Sequence, residues 1–167
     1  KKGNPVHGWL VLDKPLNMTS TQAVGYVRRM FNAQKAGHAG TLDPLATGVL
    51  PICVNAATKL AGYLLADDKA YEAEGILGIE TDTLDRTGRV LATTDVAVTE
   101  AALLAALAGR SGAQEQVPPM FSAIKQGGVR LYHRARAGED VERAPRKIRI
   151  DRLEHDGWFD ARLGEGV

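Results

Sequence analysis

The stretch GHAGTLDPLATGVL, residues Gly37–Leu50, constrains the fold most, because neither a helix nor a strand can run through it. Its three glycines allow backbone conformations that other residues avoid, and Pro44 fixes the chain directly after Asp43. The apolar run GVLPICV begins inside the stretch. The pattern predicts a rigid loop that presents one carboxylate and leads into a strand or buried segment, Gly48–Val54.

Two well-marked elements precede this loop. GWLVLDKP (Gly8–Pro15) is a short apolar run closed by Asp-Lys-Pro, which predicts a buried strand that ends at a turn. Thr19 followed three residues later by Gln22 predicts a capping box, in which each side chain bonds an otherwise unpaired backbone amide. The helix that follows has an apolar stripe at helical spacing, formed by Ala23, Val24, Val27, Met30 and Phe31.

Beyond the loop, helical and strand-like patterns interleave without a strict βαβ rhythm. Helices are predicted at Ala56–Ala66, with Leu60, Tyr63 and Leu64 inward, from Thr99 to Gly109, with Leu103, Leu104 and Leu107 inward, and at Leu131–Ala137. Alternation predicts strands at Tyr71–Ile79, Arg89–Thr93 and Lys147–Leu153, with a turn at Asp85–Gly88 and mostly irregular chain at Gln114–Gly128. These elements predict one α/β (α+β) domain, residues 1–167, with a mixed sheet.

Charge is unevenly distributed, although the net charge is only +1. Residues 1–60 contain seven Lys/Arg and two acidic residues. Residues 61–119 contain four Lys/Arg and ten acidic residues, and residues 120–167 contain ten Lys/Arg and eight acidic residues. Basic outer segments are compatible with a polyanion partner, and equally with unrelated solvated faces. Cys53 is the only cysteine and lies in an apolar run, so we expect a buried, inert thiol and no disulfide. Neither a membrane span nor a signal peptide is indicated, and a cytoplasmic protein is expected.

Several kinds of chemistry are not indicated. The sequence has no nucleotide-phosphate loop, no Ser elbow and no zinc-ligand spacing, so we expect neither cofactor nor metal. The acid pairs Glu72/Glu74 and Asp82/Asp85 fit solvated strand edges. Asp43 fits two interpretations, a nucleophile or general base on a rigid loop, and an ordinary Asp-Pro turn, and the local residues leave both open.

Longer motifs bear on that choice. GHAGTLDPLATGVLP resembles the signature loop of the TruB family of tRNA pseudouridine synthases, which isomerise the T-loop uridine at tRNA position 55. LDKP with MTS, then ATK, then KAYEAEGILGIETDTLDRTG, then QVPPMFSAIKQGGVRLYHRARAG match further family motifs in the same order. The resemblance implies a pseudouridine synthase catalytic domain, with a largely antiparallel mixed sheet flanked by helices.

The resemblance also implies roles for individual residues. Asp43 is implied as the catalytic aspartate, and Tyr71 as the aromatic residue that stacks on the flipped uridine and that could also serve in proton transfer at C5. Substrate-binding positions are implied at His38, Lys14, Lys59, Thr41, Gly40, Arg136 and Tyr132. A basic cluster from Lys125 to Arg152 is a candidate surface for the RNA backbone. The expected partner is the T-arm of tRNA, bound by a monomer without a nucleotide cofactor or a membrane.

Two departures from the family pattern qualify these expectations. Asn17 and Asn55 stand where the family usually has Gly, and both positions are predicted to need positive φ, which Asn tolerates best after Gly. The family segment CSxGTYIR, whose arginine is expected to pair with the catalytic aspartate, has no match before Val167. We therefore expect a catalytic domain that is incomplete at its C-terminus and whose activity alone is doubtful. The alternatives are a noncatalytic RNA-binding or RNA-folding protein and a glycosidase acting on small nucleosides.

Overall fold

The computed structural model describes residues 3–119, 125–131, 134, 137–139 and 141–158, and it divides into two compact units, Lys1–Glu72 and Ala73–Val167. The first unit contains, in order, β1 (Gly8–Lys14), α1 (Ser20–Met30), β2 (Ala36–His38), β3 (Gly48–Val54), a 3₁₀ helix (Asn55–Lys59) and α2 (Ala61–Leu65). The second contains β4 (Ile79–Thr81), β5 (Val90–Thr93), α3 (Glu100–Ala108), β6 (Gly112–Gln116), β7 (Lys125–Gln126), β8 (Val129–Arg130) and β9 (Arg146–Ile150). Every pair of these strands is antiparallel, which confirms the predicted α+β class with a largely antiparallel sheet.

The core of the first unit lies between α1 and one face of a three-stranded sheet with strand order β1-β3-β2. Ala23 and Val27 of α1 pack in one buried cluster with Leu50 and Ile52 of β3. Cys53 is also buried, as predicted, and burial raises the pKa of its thiol. The strands Gly8–Lys14 and Gly48–Val54 and the helix are therefore confirmed.

Two details of that prediction are wrong. β1 is not buried on both sides: its inward residues alternate with exposed ones, and Val11 is 70% exposed, because α1 covers only one face of the sheet. Met30 is 73% exposed and does not belong to the buried stripe. Met30 is the last residue of α1, where the helix gives way to its C-terminal cap.

Both ends of α1 are fixed by hydrogen bonds. The capping box is present: Thr19 Oγ1 accepts from the Gln22 amide (3.1 Å), and Gln22 Oε1 accepts from the Thr19 amide (2.8 Å). At the other end Asn32 has φ 46°, the Ala33 amide donates to the Arg28 carbonyl (2.9 Å), and the Asn32 amide donates to that of Arg29 (3.0 Å). This is a Schellman motif, and it turns the chain sharply back into β2.

The predicted helix Ala56–Ala66 is broken into two short pieces. The 3₁₀ helix ends at Lys59 and α2 begins at Ala61, so the side chains do not keep one α-helical face. Leu60 is 49% and Tyr63 76% exposed, and their predicted inward orientation is wrong.

The two asparagines that replace family glycines adopt the predicted backbone. Asn17 has φ 61° and Asn55 has φ 49°. Asn55 also has a role that glycine cannot perform, because its Nδ2 donates to the carbonyls of Asn4 (3.0 Å) and Val6 (2.6 Å) and its Oδ1 accepts from the Lys35 amide (2.9 Å). The side chain thereby fastens the N-terminal segment to the sheet.

The second unit confirms some predictions and corrects others. The β4–β5 hairpin confirms the turn at Asp85–Gly88 and the strand after it, and β6 pairs with β9. The helix capped by Thr99 and ended by Gly109 is confirmed as α3, although its Leu104 is 47% exposed.

Two segments differ from their predicted structure. The strand predicted at Tyr71–Ile79 is wrong except at its last residue, because residues 69–76 have no paired strand in the part of the chain that the structure describes. Within the segment predicted to be irregular, Gln114–Gln116 belong to β6 and Lys125–Gln126 form β7. In the helix predicted at Leu131–Ala137, Leu131 and Arg134 are helical, and Tyr132, His133, Ala135 and Arg136 lie outside the described residues.

No helix in the described part of the chain is long and apolar enough to cross a membrane.

Replacing Asn55 with Gly tests its side-chain contacts. Asn55→Gly relieves the positive φ but removes three hydrogen bonds, each contributing about 0.5 kcal/mol at an exposed site, so we expect a net loss of about 1 kcal/mol in unfolding free energy. Asn17→Gly is the matched control, since the Asn17 side chain bonds no described residue; it should be neutral or slightly stabilising. Urea unfolding measures both, and equal stability of the two variants would contradict the role of Asn55.

The turn between β4 and β5 should depend on pH. Asp85 Oδ1 accepts hydrogen bonds from the Thr87 amide (2.8 Å) and from the hydroxyls of Thr87 (2.6 Å) and Thr83 (2.8 Å). These bonds hold the pKa of Asp85 below its ordinary value, and the bond from the Thr87 hydroxyl has the largest effect. A carboxyl group whose pKa is lower in the folded state stabilises the fold at pH values above its ordinary, unfolded-state pKa. That stabilisation is lost as the pH falls through the lowered pKa of the folded state.

We therefore expect Asp85→Asn to lower the melting temperature near neutral pH, and the gap from the parent protein to shrink as the pH falls below the ordinary carboxyl pKa of about 4. The control is Asp95→Asn, which removes the same charge from a carboxylate that bonds no described residue, so its melting temperature near neutral pH should stay close to that of the parent protein. A gap for Asp85→Asn that does not depend on pH would contradict the assignment.

Candidate active site

Asp43 lies in the loop that joins β2 to β3, and the main chain at both ends of this loop is fixed. The Ala39 amide donates to the Pro51 carbonyl (2.9 Å), which holds the start of the loop against β3. Gly40 and Gly48 have φ of +129° and +108°, values that an L side chain rarely adopts, although there is open space around both. Glycine is therefore required at these two positions by backbone conformation and not by crowding.

Ser20, the first residue of α1, holds the loop immediately before Asp43. Its Oγ accepts from the Leu42 amide (3.0 Å) and donates to the Leu42 carbonyl (2.9 Å). Ser20 is 3% exposed, so both bonds are shielded from water. One hydroxyl thus satisfies both main-chain groups of the residue that precedes the aspartate.

The residue after Asp43 is held as well. The Asn17 amide donates to the Pro44 carbonyl (2.8 Å), and the Ala46 amide donates to the Asp43 carbonyl (3.0 Å), which closes a turn. Because Leu42 is anchored to the first residue of α1 and Pro44 to the turn between β1 and α1, the Cα of Asp43 has little freedom to move.

Lys14 supports the segment that supplies these anchors. Its side chain is completely buried, and Nζ donates to the carbonyls of Pro15 (3.0 Å) and Met18 (2.7 Å). The buried ammonium therefore organises the turn that contains Asn17 and cannot itself reach solvent.

The carboxylate of Asp43, by contrast, is exposed and forms no hydrogen bond or ion pair with any described residue. A carboxylate that is fixed through its backbone and left free at its oxygens is suited to act as a nucleophile or general base toward a ligand that docks on the loop.

His38, at the end of β2, is the second group of interest. It is opposite Ile52 in the sheet register and is half-buried. Its Nδ1 is buried and has no hydrogen-bond partner among the described residues. Such an atom is uncommon in folded proteins, and it marks a position that a water or a ligand can satisfy.

No hydrogen bond or ion pair among the described residues links Tyr71, Lys59 or Thr41 to Asp43. Tyr71 is 72% exposed in a segment without regular structure, and Lys59 and Thr41 are exposed at the surface. The loop is braced by Ser20 and Asn17, whereas the side chains of its own Thr41 and Thr47 form no hydrogen bond with a described residue. Tyr132 and Arg136 lie outside the described residues.

Ser20 was not predicted to be a site residue. Its signal was a polar side chain at the start of an amphipathic helix, inside the MTS motif, but nothing local pointed to a partner twenty-two residues away.

The predicted basic cluster is partly neutralised within the protein. Arg134, Arg149 and Arg152 each form an ion pair, with Glu139 (3.9 Å), Asp151 and Glu154 (2.6 Å) respectively. Arg146 donates twice to Gln116 Oε1 (3.0 and 2.7 Å). These side chains are less available to a polyanion than the sequence suggested.

Comparison with known proteins places this site in context. Residues 28–163 match the sequence profile of the TruB family pseudouridylate synthase (N terminal domain). A protein of Bradyrhizobium diazoefficiens named tRNA pseudouridine synthase B is 50% identical over 169 residues, covering 97% of this chain and 49% of the relative. One of the same name from Aromatoleum aromaticum is 54% identical over 149 residues, covering 89% of this chain and 48% of the relative.

The chain thus spans about half the length of the curated relatives it matches. A crystal structure of a Cbf5-Nop10-Gar1 complex aligns with a TM-score of 0.51 and 23% identity, over 89% of this chain and 39% of that one, a similarity of fold alone. With a family profile matched over most of its residues and relatives at half identity, this chain belongs to the TruB family of pseudouridylate synthases.

Proposed function

We propose that the protein containing this chain isomerises uridine to pseudouridine in tRNA, at position 55 of the T-loop, with Asp43 as the essential carboxylate. The observation that carries the proposal is the exposed Asp43 carboxylate on a loop fixed at Leu42 and Pro44, in a member of this family. The names of the relatives support tRNA as the substrate.

The reaction breaks the N1–C1′ bond of uridine, rotates the base and joins C5 to C1′, after which the C5 proton is lost and N1 gains a proton. Atoms balance without an oxidant or a second substrate. Asp43 promotes cleavage of the glycosidic bond, and the fixed loop holds the aspartate in position while the base is detached.

The uridine must first leave its stack in the RNA, which costs a few kcal/mol. We assign Tyr71 as the platform that recovers part of this cost, since stacking on an aromatic ring contributes roughly 1–3 kcal/mol. Its exposed side chain is available for such a contact. Tyr71 is also the group we assign to proton transfer at C5.

The remaining roles are divided between contact with the RNA and support of the loop. We assign Gly40, Thr41 and the half-buried His38 to contact with the RNA around Asp43, and Lys59 to a phosphate. Lys14 contributes through the turn it organises, because its ammonium is buried. Tyr132 and Arg136 are assigned to the RNA by family resemblance. We expect a monomer in the cytoplasm, the compartment that holds tRNA in bacteria such as the relatives.

Release of tritium from tRNA labelled at C5 of uridine tests the function in the full-length gene product. Asp43→Asn preserves size and removes the charge, so we expect release to fall on the order of 10⁴-fold, as when a nucleophile is removed elsewhere, while tRNA binding persists. Normal release by Asp43→Asn would contradict the assignment of the aspartate.

The same assay separates the rival functions. A parent protein that binds tRNA but releases no tritium would be a noncatalytic RNA-binding protein. Free uracil formed from uridine nucleoside, without salt-sensitive binding of tRNA, would indicate a glycosidase.

Ser20→Ala tests the positioning of the aspartate. The substitution leaves the half-buried amide and carbonyl of Leu42 without their partner, which should cost about 1–3 kcal/mol of stability. Because the loop then moves, we expect kcat for pseudouridine formation to fall at least 10-fold while tRNA affinity changes little. Ser111→Ala, at an exposed serine of the other unit, is the control; a Ser20→Ala enzyme with unchanged kcat would contradict the role.

A further inference from the structure

The solvent face of α1 combines an aromatic ring with positive charge. Gln22, Gly25, Tyr26 and Arg29 are spaced three and four residues apart, so they form one stripe, and they line a shallow groove of about 220 Å³. Tyr26 is 55% exposed, and the guanidinium carbon of Arg29 lies 4.8 Å from its ring centroid. This cation–π contact holds the guanidinium on one side of the ring.

The charge of this face is not neutralised. α1 contains no acidic residue, and Arg28, Arg29 and the nearby Lys35 form no ion pair with any described residue. Only two acids, Asp13 and Asp43, occur among the first sixty residues, against seven Lys/Arg. Three of the later arginines, Arg134, Arg149 and Arg152, face carboxylates. The outer face of α1 is therefore better suited to a polyanion than the later basic cluster.

The position of α1 relates this face to the candidate active site. Its first residue, Ser20, bonds Leu42 next to the aspartate, and Arg29 follows nine residues later, about 14 Å along the helix axis. An RNA with one nucleotide at Asp43 extends over such a distance and carries several phosphates across it.

We propose that the outer face of α1 is a second contact surface for the RNA substrate, in which Arg28 and Arg29 bind phosphates and the exposed part of the Tyr26 ring stacks on an unpaired base. The inference rests on the proposed function for the identity of the RNA. Phosphate contacts of this kind position a nucleic acid without reading its sequence.

Salt-dependent binding of a T-arm stem-loop RNA to the full-length gene product tests the arginines. Each lost phosphate contact should reduce the slope of log affinity against log salt concentration by about 0.7–0.9, so Arg28→Ala with Arg29→Ala should flatten it by about 1.5 and weaken binding roughly 10-fold or more at 0.1 M salt. Both residues are exposed in a helix where Ala is favourable, so folding should persist, which the melting temperature checks.

The matched control is the double variant Arg89→Ala with Arg110→Ala. It removes the same charge from the acid-rich segment, where Arg89 already faces Asp82 at 3.9 Å. We expect less than a 2-fold change in affinity and an unchanged slope. If the α1 variant behaves like this control, the proposal is overturned.

Tyr26 is tested by a pair of substitutions. Tyr26→Ala should weaken binding roughly 10-fold by removing the stacking surface, whereas Tyr26→Phe should bind as the parent protein does. Equal binding by Tyr26→Ala and the parent would overturn the stacking contact.

Two other outcomes identify which idea fails. In one outcome, the parent protein binds phosphatidylserine vesicles, the α1 variant does not, and the α1 variant binds RNA as well as the control variant does. This result would make the face a membrane site and overturn the proposal. A parent protein that binds RNA through α1 but releases no tritium would disprove the proposed function and leave the contact surface standing.

Discussion

The buried ammonium of Lys14 is the interaction on which the rest of the first unit depends. Removing a charged amine from water costs several kcal/mol unless its donors are satisfied. Here Lys14 Nζ donates hydrogen bonds to the carbonyls of Pro15 and Met18, so the chain after β1 must curl around the side chain. That curl requires Asn17 at positive φ, directs its amide toward Pro44, and sets Thr19 as the cap of α1. One buried charge thus fixes where the helix begins and where the Asp43 loop is anchored.

The anchors act on the main chain and leave the aspartate side chain free. Ser20 holds Leu42 through both of its main-chain groups, and Asn17 holds Pro44, so the residue between them is fixed without any bond to its carboxylate. A loop braced by its own threonines would have placed polar side chains near Asp43 that compete for its oxygens. Support from α1 and the β1 turn avoids that competition.

The sequence predicted best what is determined locally. The capping box of α1 follows from residue types within a few positions, and the positive φ at Asn17 and Asn55 was implied by the glycines that the family usually has there; all three are present. The strand predicted at Tyr71–Ile79 is wrong because alternating apolar and polar residues indicate a half-exposed surface but do not identify the neighbouring strand with which the backbone would have to pair.

Within the site, the position of Asp43 on a glycine-bounded loop was predictable from its neighbours, whereas Ser20 was not. Its partner is distant in the chain, and only folding brings the two together. Long-range pairs of this kind are outside the reach of periodicity and spacing. The acid partners of the later arginines lie only two to five residues away, and they were missed because a count of charges does not say which side chains pair.

The first unit carries a single exposed carboxylate on its loop and an excess of positive charge, and these features need not oppose each other. At about 14 Å, the rise of α1 from Ser20 to Arg29, two unit charges in water interact by only about 0.3 kcal/mol. The Debye length at physiological salt is roughly 8 Å, which screens even that. The arginines can therefore attract phosphates without masking the aspartate, and the aspartate does not repel the RNA from the helix. A rigid helix between them lets one element perform both tasks, bracing the reactive loop at one end and offering charge at the other.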